Sequence, residues 1–249
     1  MSGIILRDVH YSELPEVARV MSRAFWKDEL FGDLIHPHRE QYPEDVDLYW
    51  LRRARVVFWD YRWRLIVAVS KDLSGKESIV GIAQWERLGD GGKKLECSTL
   101  DPRKSLHPSR DPANQPGNLL KPLTSLAMAV HARLYPNRAA DPEQEDAVER
   151  AYPCFDSIWS GKRAESWYLA ALAIRPDFHG KGVGRRLVQW GMEKAQEEKI
   201  CASLAAVDGT EEFYNKCGFT EQFGSAKAGE GNPLRDVPGA LMFWYWPRT

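Results

Sequence analysis

The residues best suited to chemistry form a glycine-rich loop, His179-Gly180-Lys181-Gly182-Val183-Gly184. It follows an apolar run of strand length, Trp167 to Ile174, and precedes a segment with helical periodicity. The first turn of a helix has unpartnered backbone N–H groups at the positive end of the helix dipole, and glycines let a bulky anion reach them. Lys181, Arg185 and Arg186 add positive charge. The sequence therefore predicts a phosphate-binding loop, with an ordinary strand-to-helix turn as the alternative interpretation.

Two common nucleotide-binding motifs do not fit this loop. A P-loop requires Gly-Lys followed by Ser or Thr, and neither Gly180-Lys181 nor Gly184-Arg185 leads to such a hydroxyl. A dinucleotide fingerprint requires Gly-x-Gly-x-x-Gly, whereas these glycines read Gly-x-Gly-x-Gly and occur late in the chain. A nucleotide-binding enzyme of another kind is therefore disfavoured.

The elements around the loop indicate one large α/β domain spanning residues 1–249. We predict a strand at Ile4–Arg7, a helix capped near Ser12, a second helix from Glu44 to about Tyr61, and a hairpin of strands at 64–70 and 78–87. The apolar run before the loop has the character of a central strand covered on both faces. Eight of the fifteen prolines lie between residues 101 and 153, so we interpret residues 90–163 as an insertion with short helices such as 123–134.

The composition excludes several classes of partner. A formal net charge of −1 gives no electrostatic reason to expect nucleic acid or an anionic membrane as a main partner. The N-terminal residues lack the features of a signal peptide, and no apolar run approaches the ~20 residues that span a bilayer. We therefore expect a soluble cytoplasmic protein. The pattern does not indicate an oligomeric state.

No metal site is predicted. The four cysteines, Cys97, Cys154, Cys201 and Cys217, lack paired metal-ligand spacing and are interpreted as reduced thiols. His36 and His38 alternate around Pro37 without further ligands nearby, so we interpret them as surface-loop histidines.

The strand-loop-helix segment and a motif about thirty residues downstream together resemble the GNAT superfamily of N-acetyltransferases. The run Leu172-Ala173-Ile174-Arg175-Pro176 and the following loop are similar to the acyl-CoA signature of that family, matching it at Gly182 and Gly184, while His179 replaces the usual Gln or Arg. The motif Phe213-Tyr214-Asn215-Lys216-Cys217-Gly218-Phe219 is similar to the family's tyrosine-containing ending. The resemblance implies a mixed central sheet of six to seven strands flanked by helices, with the proline-rich insertion before the central strand.

The resemblance also implies a site. Acetyl-CoA would be the cosubstrate, its pantetheine arm pairing with the backbone of Leu172 and Ile174 and its diphosphate resting on the N–H groups at the start of the helix. Tyr214 would act as the general acid, since a phenol with a pKa of ~10 is protonated at neutral pH. The alternative for Tyr214 is a core aromatic role. The expected cofactor-binding residues are Leu172, Ala173, Ile174, His179, Gly180, Lys181, Gly182, Val183, Gly184 and Arg185.

The general base is open at this stage. Several branches of the family use a Glu on the central strand, but the corresponding residues are Tyr168, Leu169 and Ala170. Glu86, Glu165 or a water are the remaining candidates, and both carboxylates could equally be solvent-facing strand ends.

The acceptor is the least defined part of the prediction. The resemblance implies direct attack of an amine on the thioester in a ternary complex. The long insertion and ten tryptophans favour a small-molecule primary amine in an enclosed pocket. The alternatives are a protein or peptide amine as acceptor, or a non-catalytic acyl-CoA-binding module of the same fold.

Overall fold

The computed structural model describes residues 3–72, 74–98, 101, 103 and 117–248, with residues 117–119 described in the backbone alone. Its centre is a mixed seven-stranded sheet of order β1-β2-β3-β4-β5-β7-β6. Every neighbouring pair in this sheet is antiparallel except β4 and β5, which are parallel. The strands are β1 (Ile5–Asp8), β2 (Trp63–Lys71), β3 (Glu77–Leu88), β4 (Ser166–Ile174), β5 (Cys201–Ala206), β6 (Glu221–Ser225) and β7 (Leu241–Tyr245).

Helices cover both faces of the sheet. The α-helices in the described ranges are α1 (Leu14–Ala24), α2 (Pro43–Phe58), α3 (Gly89–Glu96), α4 (Gly117–Leu134), α5 (Ala147–Phe155), α6 (Val183–Glu198) and α7 (Glu211–Cys217). Helices α1 and α2 pack on one face against inward residues such as Val67 and Ile82. Helix α6 packs on the other face against Trp85 and Leu169. Alternate residues of β3 therefore enter different cores, as the two-residue period of a strand requires. None of the described helices is long and apolar enough to cross a membrane.

Helix α6 lies close to the sheet because its buried face contains a glycine. Its buried residues recur at helical spacing: Val183, Leu187, Val188, Gly191, Met192 and Ala195. A Cβ at Gly191 would be 2.2 Å from the indole of Trp85, which is itself fully buried. The glycine therefore lets the middle of α6 lie directly against β3.

A bulge in β4 shapes the surface beside this helix. Gln84 of β3 pairs with Ala171 and Trp85 pairs with Leu169, so Ala170 is an extra residue in β4. The parallel pairing of β4 with β5 extends only from Ser166 to Leu169. Residues 170–174 continue β4 beyond that point, so the two central strands separate there.

The structure confirms the mixed sheet and most predicted elements, and it corrects three details. The cap of α1 is Glu13, while Ser12 belongs to a preceding 3-10 turn. His36 is fully buried, because Phe31 and Asn137 satisfy both ring nitrogens. The described part of the span between β3 and β4 contains three α-helices, and α4 runs through Pro122 from Gly117. Part of the proline-rich segment, residues 104–116, lies outside the described residues.

Candidate active site

The edge of β4 beyond the bulge offers backbone groups for hydrogen bonding. The N–H of Arg175 donates to the carbonyl of Val80 on β3 at 2.9 Å. Successive residues of a strand direct their backbone N–H and C=O groups to opposite sides. Ala173 therefore also points these groups towards β3, while Leu172 and Ile174 point theirs to the other side, where β5 no longer pairs with β4. Among the described residues, no strand pairs with residues 170–174 on the side of β4 that faces away from β3. An extended ligand can therefore bind here by strand-like hydrogen bonds.

The loop after β4 ends in an uncapped helix N-terminus. Gly182 is the N-cap of α6 in the left-handed region, with φ +76°, and no side chain caps the helix. The first backbone bond of the helix joins the N–H of Arg186 to the carbonyl of Gly182. A Cβ at Gly180 or Gly182 would meet no atom within 4 Å, so the space beside the loop is open. These N–H donors suit an anion.

Some of the positively charged side chains around the loop are bound within the protein, and others are free to bind an anion. Arg186 donates to the carbonyl of Ile4 at 2.8 Å, and Arg175 forms an ion pair with Asp177 at 2.7 Å. Arg185 is exposed and makes no ion pair or hydrogen bond within the described ranges. The ammonium of Lys181 lies 4.6 Å from the ring centre of Phe178. Arg185 and Lys181 are thus the cations free to meet a diphosphate.

The remaining predicted loop residues have structural positions. Val183 and Ala173 are buried in the two cores on either side of the sheet. The exposed His179 places its Nε2 atom 3.1 Å from the carbonyl oxygen of Ile174. His179 therefore fastens the loop to the end of β4, which differs from the phosphate contact that the family pattern implies for this position.

Tyr214 lies on α7, which packs against the start of α6. A Cβ at Gly184 would be 3.4 Å from Cζ of Phe213, so the glycine permits the close approach of the two helices. Tyr214 is half-buried in the α6 core. Burial raises the pKa of its phenol, and the neighbouring Cys217 and Tyr168 raise that pKa further. The hydroxyl is therefore protonated throughout the neutral range.

Glu86 is a buried carboxylate with an unusual pKa. It lies on β3 directly opposite Tyr168 of β4 and is 6% exposed. Burial raises the pKa of Glu86 to about 7, although Arg62 acts in the opposite direction. The charge of Glu86 also raises the pKa of Tyr168, and Tyr168 in turn raises the pKa of Tyr214. Tyr168 thus interacts electrostatically with both the candidate base and the candidate acid.

Glu165 has a structural role. Its carboxylate forms an ion pair with the buried Arg87 at 2.6 Å and accepts hydrogen bonds from the N–H groups of Asp90 and Gly91. Burial by itself raises the pKa of Glu165, but these contacts outweigh burial and the pKa is lowered. Glu165 is therefore a permanently charged cap on the start of α3.

A cavity of about 300 Å³ opens beside the carboxyl end of β3 and the start of β4. Tyr152 and Trp159 line it from the segment of α5, and their rings stack at 5.5 Å. The hydroxyl of Tyr152 is buried without a hydrogen-bond partner among the described residues. Burial raises the pKa of Tyr152, and Glu86 raises it further. Tyr152 therefore lines the cavity and also interacts electrostatically with Glu86.

Several residues of this region had no signal in the sequence. Tyr152 lies in a helix that was not predicted. Tyr168 appeared in the apolar run and at the position where several branches of the family use a Glu, but no role was predicted for it. Their common feature is proximity to Glu86 across strands and helices that are far apart in sequence. The register of β3 against β4 is the information that would have revealed it. Among the described residues, no group of three or more His, Cys, Asp or Glu could hold a metal ion.

The fold is that of known acetyltransferases. A structure from Corynebacterium glutamicum, described as histone acetyltransferase HPA2 and related acetyltransferase, is 18% identical, has a TM-score of 0.55, and aligns over 100% of this chain and 98% of its own. A GNAT-family acetyltransferase from Staphylococcus aureus is 12% identical, with a TM-score of 0.49 and coverage of 99% and 100%. The PaiA N-acetyltransferase from Thermoplasma acidophilum, solved with coenzyme A, is 9% identical, with a TM-score of 0.46 and coverage of 98% and 99%.

The sequence comparison points to the same class. Residues 148–221, from α5 to the start of β6, match the family model of the acetyltransferase (GNAT) domain. Residues 148–221 are therefore similar to a GNAT acetyltransferase domain, and the whole chain shares the fold of the Corynebacterium structure. A search of curated proteins found no match.

Proposed function

We propose that the protein transfers an acetyl group from acetyl-CoA to the primary amine of a small molecule. The observation that carries the proposal is the continuous binding surface formed by the open edge of β4 and the uncapped start of α6. Backbone groups of Leu172 and Ile174 lead directly to the free N–H donors beginning at Gly182. This combination suits a ligand with an extended amide arm and a diphosphate.

The chain's own residues fit such a cosubstrate. The open space beside Gly180 and Gly182 admits phosphate oxygens, and Lys181 and Arg185 supply the counter-charge. When bound, acetyl-CoA supplies the activated thioester from which the amine takes the acetyl group.

Glu86 is the proposed general base. A primary amine is mostly protonated at neutral pH, so a base must remove a proton before the nitrogen can attack. With a pKa of about 7, Glu86 is ionised in about half of the molecules at neutrality and can accept that proton. Glu165 is less suited because Arg87 and two backbone donors occupy its carboxylate.

Tyr214 is the proposed general acid. Its protonated phenol can donate to the sulfur as the carbon–sulfur bond breaks, which restores the neutral thiol of coenzyme A. Solvent then returns a proton to the phenol. The electrostatic link from Glu86 through Tyr168 to Tyr214 supports a common site at the point where β4 and β5 separate.

The size of the cavity favours a small acceptor. Its volume of about 300 Å³ is at the lower end of the range of small-molecule sites. The aromatic walls from Tyr152 and Trp159 and the carboxylate of Asp156 suit an amine with an apolar body, whereas Asp90 is paired with Lys93 and Glu165 with Arg87. A protein or peptide amine is the competing acceptor.

Ligand-dependent thermal stability tests the proposal. Acetyl-CoA and CoA should raise the melting temperature, because a ligand that binds only the folded state stabilises it by mass action. ATP and NAD should leave the melting temperature unchanged. Acetyl-CoA should then release free thiol in the presence of small primary amines. Failure of both CoA ligands to stabilise the protein at saturating concentration would contradict the proposal.

Tyr214→Phe separates binding from turnover. This variant should retain the CoA-dependent rise in melting temperature while kcat falls by about 10- to 100-fold, since only the ionisable oxygen is lost. Tyr245→Phe is the matched control, because that hydroxyl contacts Gln196 on the outer end of α6. A wild-type kcat in Tyr214→Phe would remove Tyr214 from the mechanism.

A further inference from the structure

A cluster of charged side chains surrounds Glu86. Arg62 places Nη1 3.6 Å from Oε1 of Glu86 and Nη2 2.7 Å from Oδ2 of Asp60. The ammonium of Lys121 lies 2.9 Å from Oδ2 of Asp60 and 2.6 Å from Oε1 of Glu96. Asp60 and Glu86 are buried, whereas Arg62, Lys121 and Glu96 are partly exposed.

The positively charged side chains of the network pair with carboxylates other than Glu86. Arg62 donates hydrogen bonds to both oxygens of Asp60, whereas its distance to Glu86 is longer than a hydrogen bond. Lys121 is shared by Asp60 and Glu96. The two cations therefore balance Asp60 and Glu96, and Glu86 is the surplus carboxylate. The five side chains are neutral together only when Glu86 holds a proton.

Within the described part of the chain, the tyrosines next to Glu86 carry no charge. Tyr168 faces it from β4 and Tyr152 from α5, and burial raises the pKa of both phenols, so both are neutral. Burial by itself raises the pKa of Asp60, but Arg62 and Lys121 outweigh burial and hold the pKa below its usual range. The charge of the network is therefore constant near neutral pH except at Glu86.

We propose that Asp60 and Arg62 are positioning residues that set the pH at which Glu86 acts as the base. Arg62 stabilises the ionised form of Glu86, and Asp60 limits that effect by binding the same guanidinium. Glu96 and Lys121 belong to the same network, and they connect it to α3 and α4, in the span between β3 and β4. The inference rests on the proposed role of Glu86.

Two substitutions should move the pH profile in opposite directions. In Arg62→Met, Glu86 loses a nearby positive charge, so the acid limb of kcat/KM should move to higher pH by about one unit or more. In Asp60→Asn, Arg62 loses its competing partner, so the limb should move to lower pH. Ionisation of the amine affects every variant equally, so the differences between variants report on the enzyme.

Conservative and remote variants control for structural damage. Arg62→Lys retains the charge and should keep the limb near its original position. Asp45→Asn removes another buried, arginine-paired carboxylate, since Asp45 binds Arg138 at 2.8 Å on the outer side of α2, and should not move the limb. Lys121→Met gives a second test at a position as exposed as that of Arg62 and should move the limb to higher pH.

The outcomes distinguish this inference from the proposed function. Opposite shifts in Arg62→Met and Asp60→Asn support it, and unchanged limbs or shifts in one direction overturn it. If the limbs do not move but Glu86→Gln still abolishes turnover, the base assignment stands without the control. If Glu86→Gln retains kcat, the base assignment itself is wrong.

Discussion

The proposed cofactor surface and the Glu86 network are built in different ways. The cofactor surface occupies fourteen consecutive residues, 172–185, in which a strand end, a turn and a helix start follow one another. The Glu86 network joins residues 60, 62, 86, 96 and 121, which come from separate elements. The first arrangement is fixed by local backbone geometry, and the second requires the packing of the whole chain. A short motif can therefore reveal the first, while only a structure reveals the second.

The largest expected effect distinguishes the two candidate carboxylates. Glu86→Gln should lower kcat by about 10²- to 10⁴-fold, since it removes the proton acceptor and preserves the shape of the side chain. Glu165→Gln should keep kcat within a few-fold but lower the melting temperature, because Arg87 loses a charged partner. Steady-state thiol release and thermal unfolding measure the two effects.

The cofactor surface provides the control for that comparison. Both variants should retain the rise in melting temperature caused by CoA, because neither residue lies on the β4 edge or the start of α6. If Glu165→Gln loses turnover while Glu86→Gln retains it, the roles of the two carboxylates are the reverse of those proposed.

The sequence predicted the local elements well because their determinants are local. The apolar run of β4, the glycine turn and the periodic face of α6 each follow from residues within about twenty positions of one another. Glu86 was one of three candidates for the base, and its sequence neighbours could not distinguish it from Glu165. The difference lies in partners from other elements: Arg87 binds Glu165, whereas Asp60 holds the guanidinium nearest Glu86.

His36 illustrates the same limit. Its neighbours in sequence, including two prolines, indicated a surface loop, but the ring packs edge-on against Tyr49 of α2 at 4.6 Å. Its Nε2 atom accepts from the amide of Asn137, a residue about one hundred positions away. Burial lowers the pKa of His36, which is consistent with a neutral core residue. Such a partner cannot be inferred from a local pattern.

A smaller effect tests the local half of the comparison. Gly182→Ala places a methyl group in the open space of the loop and should raise the Kd for CoA about tenfold. Gly231→Ala is the matched control, because Gly231 also has a positive φ, +71°, and no atom within 4 Å of a Cβ. Both variants should lose about 1–2 kcal/mol of stability from the left-handed backbone. Equal CoA affinity in the two variants would mean that the glycine serves only the turn.

The smallest expected effect is a cost in stability that the Glu86 network imposes. The folded protein keeps the proton of Glu86 up to a pKa of about 7, whereas the ordinary value is 4.5. The stability contributed by this group is therefore fully present below pH 4.5 and is lost as the pH rises through 7. Glu86→Gln cannot ionise, so it should be more stable than the parent protein by about 1–2 kcal/mol at pH 8, with a smaller difference at pH 5. Urea unfolding at both values measures this difference.

Glu165→Gln should change the stability in the opposite direction in the same experiment. The pKa of Glu165 is lowered, so its stabilising contribution is present above its ordinary value and is lost as the pH falls. Glu165→Gln should therefore be less stable than the parent at pH 8, where Glu86→Gln is more stable. The two carboxylates would then have opposite effects on stability, because Glu165 caps a helix and pairs with Arg87 while Glu86 lacks a cation of its own. If both variants change the free energy of unfolding in the same direction at pH 8, the ionised form of Glu86 does not destabilise the folded protein, contrary to the prediction.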